Sequence, residues 1–185
     1  MAALLEKQKA GKLAAEITVV FSDMADAKGL DVARKYGIHT ICFHPKTFTS
    51  FELYESALVL ELQKLHIEWI FCAGYMRIIR ATLLSQFKRR IVNIHPSLLP
   101  SFPGLKAQKQ ALEYGVKYSG CTVHFVDSGV DTGPIILQKV VPVLSNDTVD
   151  TLSMRILKAE HDTYWKAVNK VMKKHEIHNR TVVFS

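Results

Sequence analysis

Asn93 and His95 stand two apart in residues 91–95, a short apolar run that reads as a β-strand and leads directly into Pro96-Ser97-Leu98-Leu99-Pro100-Ser101-Phe102-Pro103-Gly104. On a strand, side chains two apart point to the same face. Asn93 and His95 therefore project together, and Ile94 faces the other way. An amide donor beside an imidazole suits a reaction in which negative charge develops on an oxygen. Imidazole also titrates in the range that proton transfer needs. The loop behind the pair is stiff, because Pro96, Pro100 and Pro103 fix their φ angles and Gly104 permits a tight exit. Of the other histidines, His39, His44, His66, His175 and His178 sit where a surface or structural role suffices.

A second group lies in Asp127-Ser128-Gly129-Val130-Asp131-Thr132-Gly133-Pro134. Two aspartates in a glycine-rich turn are too few to hold a metal without nearby histidine or cysteine ligands, so we expect no metal. One of them can meet His95, orient its ring and favour its charged form. Asp131, beside the Thr132-Gly133 turn, is the better placed. The plainer reading is an ordinary strand connection built on Asx turns.

The third group is Gly74-Tyr75-Met76-Arg77-Ile78-Ile79, which follows a buried apolar run. Gly74 lets a ligand approach the backbone. Met76, Ile78 and Ile79 can wall a flat heterocycle, and Arg77 can meet a carboxylate. The alternative is plain packing with a surface arginine.

These groups need a scaffold that brings distant loops together. Helical patterns cover residues 2–10, 26–36, 50–65, 81–87, 105–114 and 147–174. Extended patterns cover 17–22, 38–43, 67–72, 91–95, 121–126, 135–141 and 181–184. Such β–α alternation predicts an α/β domain, Rossmann-like, with a mostly parallel twisted sheet and helices on both faces. Ligands then bind beyond the carboxyl ends of the strands, where Gly74, Asn93, His95 and the 127–133 loop fall.

The 185 residues suffice for one domain with a sizeable core. A net charge of +7 raises the possibility of nucleic-acid binding. The basic residues are dispersed, however, without the interleaved aromatics or motifs of such binders, so we expect none. A basic face that draws in an anionic small substrate fits better. No run approaches the ~20 apolar residues of a membrane span. Residues 1–12 lack the layout of a secretory leader. Cys42, Cys72 and Cys121 read as buried free thiols of a cytoplasmic protein.

The segments 73–78, 93–104, 122–126 and 131–138, together with Glu160-His161, closely resemble the phosphoribosylglycinamide formyltransferases, folate-dependent enzymes of purine synthesis. The resemblance runs from residue 4 to about 168. It implies transfer of a formyl group from 10-formyltetrahydrofolate to the amine of glycinamide ribonucleotide, with no metal. It implies Asn93, His95 and Asp131 as the catalytic trio. Met76, Arg77 and Ile78, with Val126, Asp127 and Val130, are implied as the folate pocket. Glu160 is implied on the ribose hydroxyls, with Gly74 and Pro96 beside the glycinamide arm. Small-molecule substrates and a monomer or homodimer follow.

Two departures accompany the resemblance. The chain is expected to be a single catalytic domain, 1–185, that begins inside the first helix and omits the family's first strand and phosphate loop. An arginine is expected near Phe51, and none stands in 47–52; Lys46 could take its part. Competing readings are a formyltetrahydrofolate hydrolase-like enzyme, or a folate-binding protein whose catalysis is impaired by loss of the phosphate loop.

Overall fold

A computed structural model describes residues 1–184. The chain has an α/β fold and divides into two compact units, Met1–Ile91 and a second that begins at Val92. Among the described residues no helix is long and apolar enough to cross a membrane.

The first unit holds α1 (Ala2–Lys9), β1 (Val19–Ser22), α2 (Lys28–Lys35), β2 (His39–Cys42), α3 (Phe51–Lys64), β3 (Ile70–Phe71) and α4 (Ala81–Gln86). β1 and β2 pair in parallel, in register from Val19 with His39 to Ser22 with Cys42, as the intervening helix requires. Ser50 caps α3 by accepting from the Leu53 amide at 3.1 Å. α3 buries Tyr54, Leu58, Val59 and Leu62. The extended run expected over 67–72 narrows to Ile70–Phe71, and Cys42 is exposed rather than buried. Alternation places Ile41 in the core and turns its neighbour outward.

In the second unit β4 (Ile91–His95), β5 (Tyr118–Phe125), β6 (Ile135–Pro142), β8 (Thr181–Phe184) and β7 (His175–His178) lie in that order. β6 and β8 pair in parallel, while β4–β5, β5–β6 and β7–β8 are antiparallel. This run departs locally from the parallel order that β–α alternation suggests. The link from β5 to β6 is too short for a crossover helix, so it can only return the chain antiparallel. The terminal run expected as one short strand is a hairpin, because 175–178 also pairs.

One face of this sheet is apolar. Ile94, Cys121 and Val141 pack with Leu152, Ile156 and Ala159 of α6 (Val149–Val171) and with Ala111 of α5 (Ala107–Tyr114). α6 opens on a capping box between Thr148 and Thr151. Arg155 clasps Asp147 through both guanidinium nitrogens at 2.6 and 2.8 Å, fixing the turn before it. α5 starts two residues later than its pattern suggests, because Lys106 sits at φ +59.

Candidate active site

The opposite face of the same strands is polar, and the register shows why. Asn93 stands across from His124, and His95 across from Thr122. Thr122 in turn stands across from Gln138. Two adjacent cross-strand rows therefore bring five polar side chains to one surface, while Ile94 and Val123 pair on the core side. A β-bulge falls between Val123 and His124, beside the site.

The loop that leaves β4 folds back over this surface. The His95 ring nitrogen Nε2 lies 2.8 Å from the Phe102 carbonyl, and its Nδ1 lies 3.2 Å from Asp131 Oδ2. A carbonyl and a carboxylate both accept, so the doubly protonated imidazolium satisfies both contacts. The ring is buried, with 6% of its side chain exposed. Asp131 reaches it because the residue adopts φ +55. Gly133 closes the turn against the Phe125 carbonyl, which a Cβ there would strike. Asp131 Oδ2 also accepts from the Gly104 amide at 2.8 Å. Burial pushes the Asp131 carboxyl up. The hydrogen bond with His124, the Gly104 amide and the His95 and His124 charges outweigh it, leaving the pKa below the usual carboxylate value.

His124, which sequence reasoning passed over, belongs to the same cluster. It is 2% exposed, its Nδ1 donates to the Phe125 carbonyl at 2.8 Å, and its Nε2 faces both Asn93 Nδ2 at 3.4 Å and Asp131 Oδ1 at 3.5 Å. The available signal was its parity: Thr122 and His124 alternate on one strand as Asn93 and His95 do on another. Their facing each other depends on register, which the sequence does not state.

Thus Asn93, His95 and Asp131 come together, with Pro96 beginning the loop beside them. Val126, Asp127 and Val130 border the group on the connection to β6. Val130 is 51% exposed, whereas Asp127 turns inward on its own loop, accepting from Gly129 N at 3.1 Å and Thr132 Oγ1 at 2.6 Å. Of the two aspartates, Asp131 is the one that meets His95. Glu160 stands apart, partly buried on α6 and facing the Cys121 thiol electrostatically. Burial raises its carboxyl to about 7. Cys121 is itself raised, to about 11, chiefly by burial.

Gly74, Met76, Arg77 and Ile78 lie in the first unit. Their loop is pinned at three positions. The Tyr75 hydroxyl meets that of Tyr54 at 3.0 Å, Arg77 pairs with Asp23, and the Arg80 amide donates to the buried Glu55 at 2.6 Å. Gly74 takes φ +79 at the start of the turn. Met76 and Ile78 are left 74% and 63% exposed. The carboxylate that Arg77 meets here is the protein's own. Beside Phe51, where the sequence offers only Lys46, the guanidinium of Arg80 lies 4.4 Å from the ring centre. Among the described residues no cluster of three or more potential ligands could hold a metal.

Residues 1–168 of this α/β chain match the formyl transferase family: the chain belongs to it. It is 39% identical over 170 residues to the phosphoribosylglycinamide formyltransferase of Bacillus subtilis, covering 92% of this chain and 87% of that protein. The glycinamide ribonucleotide transformylase 1 of Symbiobacterium toebii superposes with a TM-score of 0.97 at 47% identity, covering 99% of this chain and 87% of that one. The trifunctional purine biosynthetic protein adenosine-3 of Drosophila melanogaster is 47% identical over 154 residues. They make up 83% of this chain but only 11% of the relative, so the chain spans about a tenth of its length.

Proposed function

We propose that this chain is a single catalytic domain that transfers a formyl group from 10-formyltetrahydrofolate to the primary amine of glycinamide ribonucleotide, a step of purine biosynthesis. The observation that carries the reading is the Asn93–His95–Asp131 cluster on the polar sheet face, in a chain of the formyl transferase family. The names of its relatives support the choice of amine.

The chemistry follows from the donors and acceptors present. The amine nitrogen attacks the formyl carbon, forming a C–N bond and moving the carbonyl electron pair onto oxygen. The Asn93 amide offers a hydrogen bond to that oxyanion, and the His95 ring, whose two nitrogens face the Phe102 carbonyl and Asp131, sets its positive charge beside it. Asp131 faces the ring at 3.2 Å, holds its charge and accepts the proton released by the amine, through a water. Collapse of the tetrahedral carbon expels the folate nitrogen, which takes up a proton. Neither a metal nor a covalent enzyme intermediate enters these steps. The family resemblance assigns Met76, Arg77, Ile78, Val126, Asp127 and Val130 to the folate, and Gly74, Pro96 and Glu160 to the nucleotide. A cytoplasmic setting goes with this reading.

The test is formyl transfer itself, followed by the absorbance change on consumption of the folate donor with glycinamide ribonucleotide present. Turnover that depends on both substrates and collapses in His95→Ala supports the assignment. Donor consumption without amine dependence points instead to a hydrolase. Donor binding without turnover points to a folate-binding protein.

A further inference from the structure

Thr122 is completely buried, and its hydroxyl has used its whole hydrogen-bonding capacity. It donates to the Ser97 carbonyl at 2.7 Å and accepts from the Leu99 amide at 3.0 Å and from Gln138 Nε2 at 2.9 Å. One O–H donor and two lone pairs are all a threonine has. The second amide hydrogen of Gln138 is also committed, to the Leu99 carbonyl at 3.0 Å. The loop is seated beside this clamp through Leu98, whose tip lies 2.8 Å from where a Cβ on Gly120 would stand.

The clamp governs more than the residues it touches. Ser97 Oγ donates to the Ser101 carbonyl at 2.5 Å, and the Ser101 amide donates to Leu98 at 3.0 Å. Those two bonds fold residues 97–101 into a closed turn. The next residue, Phe102, is held at φ +54, with its ring edge-on to Tyr114 at 5.8 Å. Its carbonyl is the acceptor for His95 Nε2, and two residues later the Gly104 amide is the donor to Asp131 Oδ2. The loop backbone therefore supplies one partner to each member of the His95–Asp131 pair.

We infer that Thr122, assisted by Gln138, is a positioning residue for the His95–Asp131 pair, acting through the 96–104 loop backbone without touching the reacting atoms. The inference deepens the proposed function and rests on it for its kinetic consequence. Its structural consequence is independent, because the proton on His95 Nε2 can be followed without any turnover.

The test compares Thr122→Val, which keeps the shape and removes the hydroxyl, with Thr122→Ser, which restores it. In ¹⁵N-labelled protein the His95 Nε2–H proton should exchange with solvent about tenfold faster in Thr122→Val and return close to the original rate in Thr122→Ser. The kcat for formyl transfer should fall about tenfold or more in the valine variant, with both KM values within about twofold, as expected for misplaced catalytic groups. If the valine variant folds, loses only thermal stability, and keeps both its His95 proton exchange and its kcat, Thr122 is merely structural and the inference is overturned. If Thr122→Val does not fold, Gln138→Leu decides, since Gln138 is exposed and its loss leaves Thr122 two partners. Faster His95 proton exchange in that variant supports the inference, and unchanged exchange overturns it. Absence of formyl transfer in the unmodified protein would defeat the proposed reaction, while the exchange measurement would still decide the positioning role.

Discussion

His124 and Asn93 face one another across β4 and β5, with 3.4 Å between His124 Nε2 and Asn93 Nδ2. Because His124 Nδ1 donates to the Phe125 carbonyl, only Nε2 can respond to the site. Neutral His124 accepts from the Asn93 amide; protonated His124 donates to Asp131 Oδ1 at 3.5 Å instead. The ring thus couples the amide of Asn93 to the charge of Asp131. Replacing it by phenylalanine keeps a buried ring and removes both contacts. His124→Phe should lower kcat by about tenfold, as loss of one orienting hydrogen bond does. It should also raise the Asp131 carboxyl toward its ordinary value, which ¹³C titration of that carboxyl reads directly. An unmoved Asp131 titration would show that His124 does not act on it.

The two residues assigned to stabilising the oxyanion should differ from groups that bind substrate. Asn93→Ala and His95→Ala should each lower kcat by roughly 10²–10³-fold with smaller changes in KM. Steady-state kinetics on folded variants checks this. A rise in KM at constant kcat would move either residue from the chemistry to binding.

Asp131 carries a signed pH dependence. Its folded pKa lies below the ordinary 3.8, so the folded state favours the carboxylate. The stabilisation this brings is present above about pH 4 and is lost as pH falls through the lower, folded value. The difference in Tm between the native chain and Asp131→Asn should be largest near neutrality and should shrink as pH drops below about 4. A gap that widened on acidification would contradict the charged network around Asp131.

Glu160 behaves in the opposite sense. Burial raises its carboxyl from 4.5 to about 7, so the folded state favours the neutral acid. Its contribution is complete below about pH 4.5 and is lost as pH rises through about 7, where the ionised group must be accommodated. Glu160→Gln should leave Tm unchanged at pH 4 and raise it at pH 8, in thermal unfolding of the ligand-free protein. If Glu160 also meets the nucleotide, the same variant should raise KM for the amine substrate and leave that for the folate unchanged.

Met76 and Ile78 are too exposed to contribute to the core. Met76→Ser and Ile78→Ser should change stability by less than about 0.5 kcal/mol. Each should raise KM for the folate donor severalfold if the loop walls the folate ring. Equal KM values would remove this loop from the donor site.

Much of the site was legible because its logic is local. The alternation of Asn93 and His95, the proline content of 96–103 and the glycines around Asp131 are one-dimensional facts with direct conformational meaning. The element ends were less legible. The final helix stops at Val171, three residues short of its pattern, because residues 175–178 join a hairpin. Cys42 looked buried by its apolar neighbours, yet alternation on a four-residue strand turns it outward.

By themselves, the residues of this chain determined the α/β class, the asparagine–histidine pair and the rigid loop behind it. These depend on propensity, periodicity and short spacing, which neighbours along the chain settle. Only the tertiary structure decided that His124 stands opposite Asn93, and that Arg77 is already paired with Asp23. It alone decided that Arg80 rather than Lys46 lies beside Phe51, and that Thr122 holds the loop supplying the His95 and Asp131 partners. Those relations join residues tens of positions apart. Strand register and loop closure set them, and both come from the packing of the whole unit rather than from any local preference.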